Sequence, residues 1–258
     1  MYEIDIQEVS QDFARCWQAA GRHLDHQVQG GIRFWLKANL SPPFLEHLSF
    51  RLGNQLFFVR VEELGDRVVA PGTRRGLRSI AEGCQGHACL MLMRADSNGW
   101  SPVHDGWGLM NLETGDLIDP VSLVTDRDVE ITDWELHDFA VQAVRQQLEH
   151  DGSQLISWQG NPGVDPSIWL QTERGPEWVV VRAARYPTRS AELPRNWAAI
   201  KQQASRMSRF GHFASVCFAN LDETIDWDPQ RPPLKLGRGR ALEAMYDGLV
   251  SDPGGVDA

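Results

Sequence analysis

Lysine is nearly missing from this chain. Of its 25 basic residues only Lys37, Lys201 and Lys235 are lysines, and the others are arginines. Acidic residues number 35, so the formal net charge is −10. A surface of that sign repels phosphate backbones, which need clustered Lys and Arg. Generic nucleic-acid binding is thereby excluded as a main role, although a local basic groove is not. No run approaches the roughly 18 apolar residues of a membrane-spanning helix. Four cysteines at unrelated spacings (Cys16, Cys84, Cys89, Cys217) do not make a disulfide framework, which points to a reducing cytoplasm. The acidic opening Met1-Tyr2-Glu3-Ile4-Asp5 lacks the basic-then-apolar profile of a secretory leader.

What is present is ordinary globular composition, 42% hydrophobic and 23% charged over 258 residues, with ten tryptophans. Much of it is written twice. Asp12-Phe13-Ala14 recurs as Asp138-Phe139-Ala140, Trp35 as Trp158, Asn39 as Asn161 and Pro43 as Pro166. Leu56–Val61 answers Trp178–Ala183, with Arg60 opposite Arg182. Gly86-His87 returns as Gly211-His212, Trp100-Ser101-Pro102 as Trp227-Asp228-Pro229, and Gly106-Trp107-Gly108 as Gly237-Arg238-Gly239. The order is preserved and the spacing stays between 122 and 131 residues. A tandem duplication explains such a series better than chance does.

Each copy reads α-β-β-β-α-β-β. Apolar residues at Phe13, Cys16/Trp17, Ala20 and Leu24 fall on one helical stripe, and Leu136, Phe139/Ala140, Ala143/Val144 and Leu148 repeat it. Thr132 with Glu135 is a capping box. Three strands follow in each copy, at 32–36, 45–52 and 55–64, and at 155–159, 167–171 and 177–186. Gly53-Asn54 and Glu173-Arg174-Gly175-Pro176 supply hairpin chemistry. A second helix is expected at 73–84 and 195–208, then buried strands at 88–93 and 213–219. The Gly-x-Gly segments are expected on or beside a last strand, as bulges or close backbone contacts. The predicted class is α+β, with an N-terminal module at 1–115, a linker at 116–131, a C-terminal module at 132–250 and a disordered tail at 251–258. The two modules are expected to pack with pseudo-two-fold symmetry.

The stretch from Gly160 to Asp165, with the hairpin and the strand Val179–Tyr186, resembles the metal-binding segment of the restriction-endonuclease-like (PD-(D/E)XK, Mrr-type) core. That resemblance implies an acid opening the second strand, here Asp165, and an acid-x-Lys pair on the third. The third strand instead carries Arg182 and no lysine, and arginine is a poor substitute for a tuned lysine. Mg²⁺ enters only under this reading, held by Asp165 alone or by a migrated carboxylate such as Glu135, Glu149 or Glu177. By topology, size and acidity each half is also similar to type III secretion chaperones and YbjN-like modules, which implies peptide binding without a cofactor.

Arg60 and Arg182 are candidate carboxylate- or phosphate-binding residues, with the alternative that each closes a core or pairs an acid. Trp100, Trp169 and Trp227, with Trp107, are placed in or near loops and are candidates for a recognition surface. His87 and His212 read first as hydrogen-bonded core histidines. No complete catalytic set emerges. The leading expectation is a protein- or peptide-binding protein, without membrane attachment, of a chaperone, immunity or adaptor kind. A nuclease or pseudo-nuclease with Asp165 as its residual metal ligand is the alternative.

Overall fold

The structure is a computed structural model, and it describes residues 9–37, 47–65, 67–97, 99–228, 230–251 and 253. Asn39, Pro43, Pro229 and most of the stretch read as a tail lie outside the described residues. The chain divides into two compact units, Met1–Asp128 and Val129–Ala258.

In the first unit, helix α1 (Gln11–His26) starts where the Ser10 hydroxyl accepts the Phe13 N–H, so one orphan donor of the first turn is satisfied. Its stripe of Phe13, Cys16, Trp17, Ala20 and Leu24 is buried as the spacing predicts. Strands β1 (Phe34–Lys37), β2 (Leu48–Leu52) and β3 (Gln55–Glu63) form an antiparallel meander. Helix α2 (Arg74–Gly83), capped by Thr73, carries the chain across to β4 (His87–Asp96), which lies parallel to β3. Strands β5 (Gly99–Pro102) and β6 (Leu109–Asn111) both return antiparallel to β4, and β7 (Leu117–Ile118) lies outside β6. A short helix, α3 (Pro120–Leu123), closes the unit.

The second unit follows the same order through its parallel strand and has a single strand after it. Helix α4 (Asp133–His150) opens with the expected capping box between Thr132 and Glu135. Strands β8 (Gln154–Trp158), β9 (Ile168–Thr172) and β10 (Gly175–Arg185) make the meander. Helix α5 (Trp197–Ala204) crosses over to β11 (Gly211–Asn220), parallel to β10, and β12 (Leu242–Ser251) returns antiparallel. The sheet order is β12-β11-β10-β9-β8. Strand β10 is covered on both faces. Val179 and Val181 belong to the core under α4, while Trp178 and Val180 pack with Trp197 and Ile200 of α5.

The two units share their register as well as their order. Across the first sheet Trp35 faces Phe50, Phe50 faces Phe57, and Phe57 faces His87. Across the second, Trp158 faces Ile168, Ile168 faces Val179, and Val179 faces His212. Trp35 and Trp158, Phe57 and Val179, and His87 and His212 thus occupy matching rungs. Gly86 and Gly211 also match in function. A Cβ on Gly86 would sit 2.7 Å from the Phe58 ring, and one on Gly211 would sit 2.1 Å from the Trp178 ring.

Several sequence expectations change. The β9–β10 turn is two residues, Glu173-Arg174, because Thr172 pairs Gly175, and it matches the two-residue turn closed by Leu52 and Gln55. Helix α5 is shorter than the predicted 195–208, and no side chain caps its start. The Gly-x-Gly segments precede β6 and β12 in turns and do not lie on strands. Residues 116–128, read as linker, hold β7 and α3; Asn54 donates to Thr125 (2.9 Å) and to the Arg127 carbonyl (2.8 Å), which ties them to the first unit. Ser251, read as the start of a disordered tail, is the last residue of β12.

Candidate functional site

The arginine pair singled out by the repeat is internally engaged. Arg60 is 7% exposed; its Nε donates to Glu62 (2.6 Å), and its two amino groups donate to the carbonyls of Pro71 (2.7 Å) and Ala70 (3.2 Å). It therefore ties the end of the β3–α2 loop to β3. Arg182 forms a bidentate pair with Asp165, Nη1 to Oδ1 at 2.9 Å and Nη2 to Oδ2 at 2.5 Å. Asp165 does not open β9. It sits in the loop before it, preceding a cis Pro166, with both oxygens on the guanidinium. Arg185 donates to the Ile131 carbonyl at 2.7 Å, and Arg238 clamps Glu135 through Nε (2.9 Å) and Nη2 (2.6 Å). These sites use the fork of N–H donors that arginine has and lysine lacks. Among the described residues no group of three or more His, Cys, Asp and Glu is placed to hold a metal ion.

The tryptophans divide. Trp107 is a core residue stacked on Phe50, and Trp169 is on β9, within the strand expected at 167–171. Trp100, Trp169 and Trp227 are each half-buried. Trp227 is held in place: the Tyr186 hydroxyl donates to Asp226 and accepts the N–H groups of Asp226 (2.9 Å) and Trp227 (3.0 Å), and the two rings pack at 5.4 Å. That hydroxyl bond is also the main reason the Asp226 carboxyl lies below its ordinary value. The cysteines are all free and buried; burial pushes the thiols of Cys16 and Cys89 up to about 12 and that of Cys217 up to about 11. None of those three is a ready thiolate.

One constellation has the connectivity of a relay. Glu177 near the start of β10, His212 near the start of β11 and Ser251 at the end of β12 lie side by side on the sheet. Val179 faces His212 and His212 faces Ser251, so these three side chains and that of Glu177, two residues before Val179, share one face. The His212 Nε2 is 2.6 Å from Glu177 Oε2, and its Nδ1 is 3.2 Å from Ser251 Oγ. The other Glu177 oxygen accepts from the Thr172 hydroxyl at 2.7 Å and from Arg174 Nε at 3.0 Å. Burial alone would raise the Glu177 carboxyl, but the hydrogen bonds from Thr172 and His212 and the charge of Arg174 outweigh it and hold it below the ordinary value. Glu177 is 2% and His212 6% exposed, whereas Ser251 is at the surface. At the matching rung of the first unit, His87 meets Gln55 at 3.1 Å, an amide in place of the carboxylate.

Residues 134–251 match the family described as a domain of unknown function, DUF8840. The match runs from the first turn of α4 to the last residue of β12, so it takes in Glu177, His212 and Ser251 while leaving out the first unit. No curated protein and no solved structure matches the chain.

Sequence reasoning named Glu177 and His212 separately, the first as a migrated metal ligand and the second as a core histidine. It missed Ser251. The available signal was the Glu177 for Gln55 exchange at matching places of the repeat, which puts a charge beside one histidine only.

Proposed function

We propose that the protein binds other proteins or peptides, with the second unit accepting an extended peptide at the outer edge of β12. The observation that carries this is a difference between the two sheets at the strand beyond the parallel pair. In the first, the strand beyond β4 is covered in turn by β7. In the second, β12 is the end of the sheet order, ten residues long, with no strand on its outer side among the described residues. A register shift opposite Ala214 and Val216 disturbs its far end, but Leu242–Tyr246 pairs regularly with Val216–Asn220. A regular open edge offers backbone N–H and C=O groups to an added strand. The half-buried rings of Trp100, Trp169 and Trp227 are further apolar anchors for a partner. The paired state of Arg60, Arg182 and Asp165 favours binding over the nuclease alternative, since each group already has its charge neutralised within the fold.

The test is a pull-down from the native lysate followed by measurement of Kd for any recovered partner. Ala244→Pro and Met245→Pro are made singly. Successive residues of an edge strand point their N–H groups in opposite directions, so one variant removes an outward donor and keeps the fold. That folded variant should bind the recovered partner at least tenfold more weakly. Recovery of no specific partner, or unchanged Kd in a folded variant whose outward donor is gone, overturns the reading.

A further inference from the structure

We propose that Ser251 is a nucleophile activated by His212 and oriented through Glu177, reacting with small activated esters that reach it from solvent. The proposal goes beyond strand addition and does not depend on it, because the Leu242–Tyr246 edge takes no part in the chemistry.

The protonation pattern follows from the partners. An ionised carboxylate only accepts hydrogen bonds, so Glu177 Oε2 takes the proton on His212 Nε2. In the neutral imidazole that leaves the lone pair of Nδ1 facing the Ser251 hydroxyl. A serine hydroxyl is a weak nucleophile alone and gains reactivity when a positioned base removes its proton as attack occurs. A buried acid that fixes the tautomer and steadies the imidazolium completes the logic of a nucleophile–base–acid relay. Glu177 meets that requirement: it is buried, and Thr172 and Arg174 hold its second oxygen. Each member stands near the end of a paired strand, which gives the relay a stiffer frame than a loop would.

The step balances as follows. Ser251 Oγ bonds to the ester carbonyl carbon while its proton passes to His212 Nδ1. The bond from that carbon to the leaving oxygen breaks, and the leaving alcohol takes the proton from His212. Water then attacks the acyl-serine with His212 as base, releasing the acid and restoring Ser251. The net change is ester plus water to acid plus alcohol.

The full-length protein is treated with a fluorophosphonate probe and, separately, with p-nitrophenyl acetate. Adducts are located by peptide mass spectrometry and timed at each serine. Ser205, also exposed, with its hydroxyl donating to the Gln202 carbonyl at 2.8 Å, is an internal reference. Ser251 should react at least a hundredfold faster than Ser205, in line with the usual 10²–10⁴-fold gain from general-base assistance. Glu177→Gln copies the Gln55–His87 pair of the first unit and should keep the fold. It should slow Ser251 by roughly 10²-fold and remove the downfield His212 Nε2 proton resonance from ¹H–¹⁵N spectra. Equal rates at Ser251 and Ser205 in the unaltered protein overturn the proposal without reference to any variant. An unchanged Ser251 rate in folded Glu177→Gln overturns the role of the carboxylate and with it the relay.

Discussion

Of the buried side chains in the second unit, His137 ties stability most directly to acid. Its side chain is 4% exposed, its Nε2 has no hydrogen-bond partner among the described residues, and burial followed by the charge of Arg182 lowers it from 6.5 to about 4. The unfolded chain then binds a proton at higher pH than the folded one does. Stability is whole above about 6.5 and is lost as pH falls toward about 4, by up to roughly 3 kcal/mol at 1.4 kcal/mol per unit. His137→Leu should therefore be close to neutral at pH 7 and about 2 kcal/mol more stable than the parent at pH 5. Urea melts at the two pH values check this; an equal difference at both would remove His137 as the cause. The carboxylates act in a lower window. Glu62 and Glu177 are held below the ordinary 4.5, so their contribution is present above that value and disappears as pH falls below it. The Asp165–Arg182 pair is a separate question of partner loss. Arg182 retains about a fifth of its exposure, so screening reduces the pair, and Arg182→Ala should cost about 2 kcal/mol where a fully buried pair would cost 3–5. A double-mutant cycle with Asp165→Asn should return a favourable coupling of at least about 1 kcal/mol. Zero coupling, or a Mg²⁺ titration that shifts Asp165, would return weight to the metal reading.

The strands were more legible in the sequence than their ends. Consecutive apolar residues at Leu56–Val59 and Trp178–Val181 announced central strands, and both are buried on two faces. Amphipathic spacing located α1 and α4 because their stripes face one sheet. Turn chemistry misled where local and long-range demands diverge: Gly175-Pro176 looks like part of a loop, yet cross-strand pairing to Thr172 and Gln171 draws both into β10. Ser251 was unreadable as a site because its meaning comes from His212 across β11 and β12, a pairing that no local pattern announces. Conversely, Gly86 and Gly211 recur for a reason that packing makes plain. Gly211 begins β11 against Trp178, whose Nε1 donates to the Ser208 carbonyl at 3.0 Å. A Cβ there would be 2.1 Å from the ring, which cannot shift without breaking that bond. Gly211→Ala should lower stability by about 3 kcal/mol or more, the range of overpacking together with a lost buried hydrogen bond. A melting temperature within a few degrees of the parent would show that the Trp178 pocket yields more easily than its geometry implies.

For the whole molecule, the two units share the order of their first six elements and the register of one row of residues, with different polar groups at matching places. The same rungs hold Gln55–His87 and Glu177–His212, and the same Gly-x-Gly setting holds apolar Trp107 against Phe50 and charged Arg238 against Glu135. The second unit carries the Glu177–His212 and Glu135–Arg238 pairs, the open strand edge and Ser251. Each unit also has its own buried core, one around Phe50, Phe57 and Met91 and another around Val179, Val181 and Phe218. A domain of roughly 130 residues has enough buried surface to fold alone. Residues 129–258 expressed separately should accordingly unfold in one cooperative transition, with coincident curves by far-UV circular dichroism and tryptophan fluorescence. The fragment should keep the labelling rate at Ser251 and the affinity for any partner held at Leu242–Tyr246, because Glu177, His212 and the whole β12 edge come with it. A fragment that folds cooperatively but loses both properties would place the decisive groups in the first unit. One that keeps Ser251 labelling and loses partner affinity would separate the chemistry from the binding.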